Sequence, residues 1–85
     1  MKERYREGYF VKSLAGHDKD KIYVIIREEK EYVYVADGKY HTLDKLKKKN
    51  KKHVQWINRS CETLVAELTN QEIVKAIKTE VLEDV

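Results

Sequence analysis

The chain has no proline, one cysteine and only three glycines in 85 residues. Without proline there is no proline-rich linker between two units, and the length suits one small domain. The single cysteine, Cys61, excludes an internal disulfide. With no apolar core of signal-peptide length in the opening MKERYREGYF, this points to the reducing cytoplasm. No apolar run approaches the roughly 18 residues of a membrane span. Zinc spacing is missing too: His17, His41, His53 and Cys61 form neither CxxC nor HxxxH. No glycine-rich phosphate loop is present. Asp18 and Asp20 are interleaved with Lys19 and Lys21, which makes a poor cation site. Cys61 lies on an apolar helical stripe, so packing is expected of it rather than nucleophilic attack. The expectation is a binding protein with no enzymatic activity, metal, cofactor or small-molecule substrate.

What is present is charge, at 39% of residues against 41% apolar. Its distribution is uneven. Residues 1–38 are balanced, residues 39–61 carry a net +7, and residues 62–85 a net −4. Within the basic block, Lys45, Lys47, Lys48, Lys49, Lys51 and Lys52 face Asp44 alone. Such asymmetry calls for an acidic partner.

Apolar patterning organises the rest. GYFVKSL (8–14) reads as a strand. Lys21 to Glu28 read as a second strand, in which IYVII is apolar on both faces and must be covered on both. YVYVAD is a third strand, and Asp37-Gly38 suits a hairpin turn with positive φ. KYHTL would be the fourth strand, DKLKKKNKK a basic loop and HVQWI the fifth strand. Beyond Asn58 the period becomes helical: Cys61, Leu64, Val65 and Leu68, then Ile73, Val74, Ile77 and Val81. Thr69 and Glu72 have capping-box spacing, which predicts two short helices broken near Thr69–Asn70. The expected fold is a small five-stranded barrel over 1–58, with a helical extension over 59–85 packed on its outer face through Ile73, Val74 and Ile77.

The stretch GYFVKSLAGHDKDKIYVIIREE, a strand opened by glycine, a Gly-x-x-Lys-x-Lys loop and an apolar strand, resembles the KOW motif. EYVYVADGKYHTLDKLKKKNKKHVQ extends the likeness to short bacterial KOW-domain proteins. These are similar in turn to KOW-containing large-subunit ribosomal proteins of archaea and eukaryotes. The resemblance covers roughly residues 8–57. It implies an SH3-like barrel that binds RNA, ribosomal RNA first, without a cofactor and in company with ribosomal proteins. Two positions depart from the pattern: Asp20 stands where such motifs carry glycine, and Trp56 where proline is frequent. Asp tolerates a left-handed backbone better than most residues.

The candidate RNA contacts follow. A charge run is usually a solvated face, but this one has almost no interspersed acid, and a polyanion would relieve its self-repulsion. Lys45, Lys47, Lys48, Lys49, Lys51 and Lys52 are expected to supply the larger share of binding, joined by Lys39. Gly16, His17, Lys19 and Lys21 form the second contact loop, where Asp18 and Asp20 are expected to cancel the two lysines. His17 and His53 are placed as hydrogen-bond donors. Tyr40, between Lys39 and His41, is the best candidate for base stacking. Lysine predominates over arginine, which favours phosphate contact over base reading. The alternative function is an SH3-like protein-interaction module that attracts an acidic partner with the same lysines.

Overall fold

A computed structural model describes residues 6–61 and 63–83, with the side chains of 82 and 83 left out; the outermost ends of the two expected units lie outside it. Five antiparallel strands form one sheet: β1 (Tyr9–Ser13), β2 (Ile22–Glu28), β3 (Tyr32–Ala36), β4 (Lys47–Asn50) and β5 (Val54–Ser60). Their order is β4-β3-β2-β1-β5, so β4 and β5 are the edges. One 3-10 turn, Lys51–His53, joins these two edges. Four strand spacings would separate them by about 19 Å in a flat sheet. A 3-10 turn of that length covers only about 8 Å. The sheet therefore has to curl, and an extra residue between Ile25 and Arg27 of β2 bends it further.

Curling separates two apolar faces. Val11, Tyr23, Ile25, Val33, Val35 and Val54 pack together on one side. Phe10, Val24 and Ala36 face the other side, where Leu68 and Ile73 cover them. The double-sided IYVII segment is thus buried twice, as its lack of alternation requires. Among the residues expected to cover it, Ile73 is fully buried, Ile77 packs partly against the same cluster, and Val74 lies half-buried beside Gly38.

Four expectations need correction. Residues 39–43 are not a strand, because one Asp37 carboxylate oxygen takes the backbone N–H groups of Lys39, Tyr40 and His41, at 2.9, 2.9 and 2.8 Å. Donors bound there cannot join a ladder. The fourth strand is formed instead by KKKN within the lysine run, with Lys48 opposite Tyr34 and Lys49 opposite Val33. An edge strand tolerates lysine, which also discourages further strand pairing. The last strand runs on to Ser60, past Trp56, which pairs with Val11 and stacks on Tyr9 at 5.5 Å.

The fourth correction concerns the helices. The only α-helix among the described residues is α1 (Asn70–Glu83). Cys61 ends the sheet, its N–H bonded to the Gly8 carbonyl, and the segment after it holds one 3-10 turn, Val65–Glu67. Cys61, Val65 and Leu68 pack on the outer cluster, but Leu64 is 71% exposed. The Thr69–Glu72 capping box forms reciprocally, at 3.1 and 3.2 Å. It starts α1 rather than dividing two helices.

The start of α1 is docked on the 37–41 turn. Asn70 accepts the Leu43 N–H through its side chain at 2.9 Å. Gly38, at φ +80°, lies so close that a methyl group there would overlap the Asn70 carbonyl and the Val74 side chain. Asp20 also takes a left-handed backbone, φ +75°, as its residue type allows. Gly38→Ala should combine left-handed strain with a steric clash and cost about 2–3 kcal/mol. In thermal denaturation this is a fall of roughly 8–24 °C; an unchanged midpoint would mean that the helix does not dock here.

Candidate nucleic-acid interface

The 14–21 segment folds back on itself through local backbone bonds. Ser13 N–H donates to the Lys21 carbonyl at 2.9 Å, and Asp20 N–H donates to the Ser13 carbonyl at 2.8 Å. Gly16 at φ +88° and Asp20 supply the two left-handed corners. Between them the chain turns Asp18 inward. Its carboxylate accepts from the Ser13 hydroxyl at 2.9 Å, the Tyr23 hydroxyl at 2.8 Å and the Lys49 ammonium at 3.1 Å on each oxygen. The Lys49 and Asp18 side chains are only 9% and 15% exposed. Burial alone would raise the Asp18 carboxyl; the bonds from Tyr23, Lys49 and Ser13 outweigh it and hold the group well below the usual carboxylate range. Burial and the facing Asp18 push the Tyr23 phenol well above its ordinary value.

This network rearranges the expected charge map. Asp18 does not cancel Lys19 and Lys21; it faces Lys49, and both loop lysines are exposed with Asp20. The lysine run is divided as well. Lys49 is held by Asp18 and Lys51 pairs with Glu28. Lys45, Lys48 and Lys52 are exposed, and Lys47 is half-buried on the Lys49 side of β4. Both partner acids lie more than twenty residues away in the chain, so from sequence the six lysines read as one uncompensated patch.

The structure brings the two expected contact regions together. The 14–21 segment touches β4 through Asp18–Lys49 and the 3-10 turn through Leu14 N–H to the His53 carbonyl at 2.8 Å. It touches the 37–41 turn through Lys21, whose ammonium sits 5.1 Å from the Tyr40 ring centre. Lys39 approaches the same ring at 5.5 Å. Tyr40 is 69% exposed. His41 lies against Tyr23, ring centres 6.0 Å apart, and so joins the turn to the Asp18 network. Gly16, His17, Lys19, Lys52 and His53 are exposed around this junction. Lys48 is not among them in orientation: it points to the opposite side of β4 and covers Tyr32 at 4.2 Å.

That opposite side carries a second cation–aromatic pair, Arg27 over Tyr34 at 4.4 Å. Arg27 also pairs with Glu29 at 3.3 Å, an arrangement that nothing in the sequence pattern singles out beyond the alternating tyrosines of YVYV. A cavity of about 450 Å³ beside α1 is lined by Asp37, Val74, Ile77, Lys78 and Val81 and is apolar. Cys61 is half-buried, and burial together with Glu72 pushes its thiol up, away from the reactive thiolate. Among the described residues no three metal-ligating side chains cluster, and no helix is long and apolar enough to cross a membrane.

The Asp18 network should be measurable as stability. Asp18→Asn leaves the Lys49 ammonium without its counter-charge and should cost about 3 kcal/mol. Because the folded Asp18 holds its proton less tightly than the unfolded one, its contribution is complete above about pH 4 and is lost as pH falls below that. Acid titration of thermal stability should therefore be shallower in the variant. Parallel curves would show that Asp18 carries no such role.

No protein-family model and no curated protein matches the chain, so the reading of this surface rests on its own residues.

Proposed function

We propose that this chain is an RNA-binding protein of the KOW type, an SH3-like barrel with a helical lid that grips the backbone of structured ribosomal RNA. It works in the cytoplasm among ribosomal proteins, without catalysis or a cofactor. The curled sheet supports the barrel reading, since its edges are joined by one 3-10 turn and its two apolar faces have separate contents. The left-handed Asp20 supports the KOW reading, because it performs the turn for which glycine is usual.

The observation that carries the function is the inward rotation of Asp18. It ties the Gly-x-x-Lys-x-Lys loop to the lysine strand and leaves Lys19 and Lys21 presented to solvent beside Lys39. Lysine ammoniums from separate segments around one loop suit a phosphate chain, whose condensed counterions they would release. The contact is with backbone more than base edges, since arginine forks are scarce there.

Filter binding to ribosomal RNA at several salt concentrations tests this. Some five phosphate contacts give a slope of log K against log salt of roughly −3.5 to −4.5. Replacing the exposed Lys19, Lys45 and Lys52 with alanine should weaken binding to all RNAs alike. It should make the slope shallower by up to about one unit per contact, with the melting temperature unchanged. Lys49→Ala should instead lower the melting temperature, because its partner is Asp18. A flat slope, or displacement by an acidic peptide as readily as by RNA, would overturn the RNA reading; the second result would favour an acidic protein partner.

A further inference from the structure

Tyr40 is the most exposed aromatic side chain among the described residues, at 69%, and the turn beneath it is held stiffly. Three successive N–H groups, its own included, converge on one Asp37 oxygen. The Asp37 and Gly38 N–H groups both donate back to the His41 carbonyl, at 2.9 and 3.1 Å. Burial would raise the Asp37 carboxyl, but those backbone donors keep it below its ordinary value and so charged. The docked start of α1 blocks the turn from behind at Gly38. An exposed ring on such a base loses little freedom when something stacks on it.

We propose that Tyr40 stacks an unpaired base of the bound RNA, while Lys21 and Lys39 take the phosphates on either side of it. This rests on the RNA-binding reading and narrows its target to RNA with an unpaired nucleotide at the contact. Two ammoniums within about 6 Å of one aromatic centre form a ready cation–π group. In the absence of RNA they lie close to the ring and leave most of it open to solvent. On binding, the base replaces an ammonium over the ring and the ammoniums move to phosphate, so neither the ring nor the charges are left unserved. Paired bases inside a duplex have both faces covered by their neighbours and offer the ring nothing to stack on. Lys21 reaches the site from the loop before β2 and Lys39 from the turn itself, so the arrangement exists only in the folded chain.

The test compares a single-stranded RNA homopolymer with a blunt, fully paired RNA duplex, using the full chain and its Tyr40→Phe and Tyr40→Leu variants. Because Tyr40 is exposed, both variants should melt like the parent. Tyr40→Phe should keep single-strand affinity. Tyr40→Leu should lose it by roughly 5- to 100-fold with the salt slope unchanged, and should bind duplex as the parent does. If Tyr40→Leu binds the single strand as tightly as the parent, and with the same salt slope, the stacking proposal fails while the RNA reading stands. Should the parent bind neither RNA, the RNA reading fails and takes the stacking site with it.

Discussion

One carboxylate, that of Asp18, sets the geometry on which the rest of the surface depends. The eight-residue connection between β1 and β2, residues 14–21, has many possible paths. This one is held because Asp18 collects hydrogen bonds from Ser13 on β1, Tyr23 on β2 and Lys49 on β4. Three strands are thereby linked at one polar point beside the Val11, Tyr23 and Ile25 core. A buried ion pair is weak as a source of net stability, because desolvation offsets much of the attraction. Its effect here is on conformation: it fixes which way the loop turns and which of its charges face water.

That choice has an electrostatic consequence. If Asp18 faced solvent, the loop would be a neutral row of alternating charges. Turned inward, it neutralises a lysine that β4 would otherwise bury without a partner, and the loop's own lysines become a positive rim. Lys51 and Glu28 repeat the device on the next turn. The protein therefore places a dense run of lysines on an edge strand without leaving all of it to repel itself. Of the exposed remainder, Lys48 lies on β4, over Tyr32, while Lys45 and Lys52 flank the strand.

A second point of convergence lies at the 37–41 turn. Asp37 organises the turn, Gly38 admits the start of α1, and Asn70 returns a bond to Leu43. The helix that covers Val24 and Ala36 is thus anchored on the same turn that displays Tyr40. The outer core and the candidate stacking site share a support, so the display of Tyr40 depends on the helix being in place. Arg59 paired with the buried Glu80 ties the helix to β5 farther along.

What the sequence determined by itself is what local chemistry and short-range periodicity control. IYVII, apolar at every position, could only be a strand covered on both faces. Thr69 and Glu72 could cap a helix from three residues apart, and Asp37-Gly38 could only be a turn. Tertiary structure decided what depended on partners distant in the chain. KKKN became a strand because β3 offered it a ladder, which no propensity of lysine suggests. KYHTL lost its strand because Asp37 captured its donors, and the stretch expected to be a first helix holds the end of β5 and the 3-10 turn Val65–Glu67 instead. Asp18 and Lys49 are 31 residues apart, and so are Asp18's inward turn and the charge pattern it creates. Periodicity reports which face of an element is apolar; it carries no information about which acid will meet which base once the sheet curls.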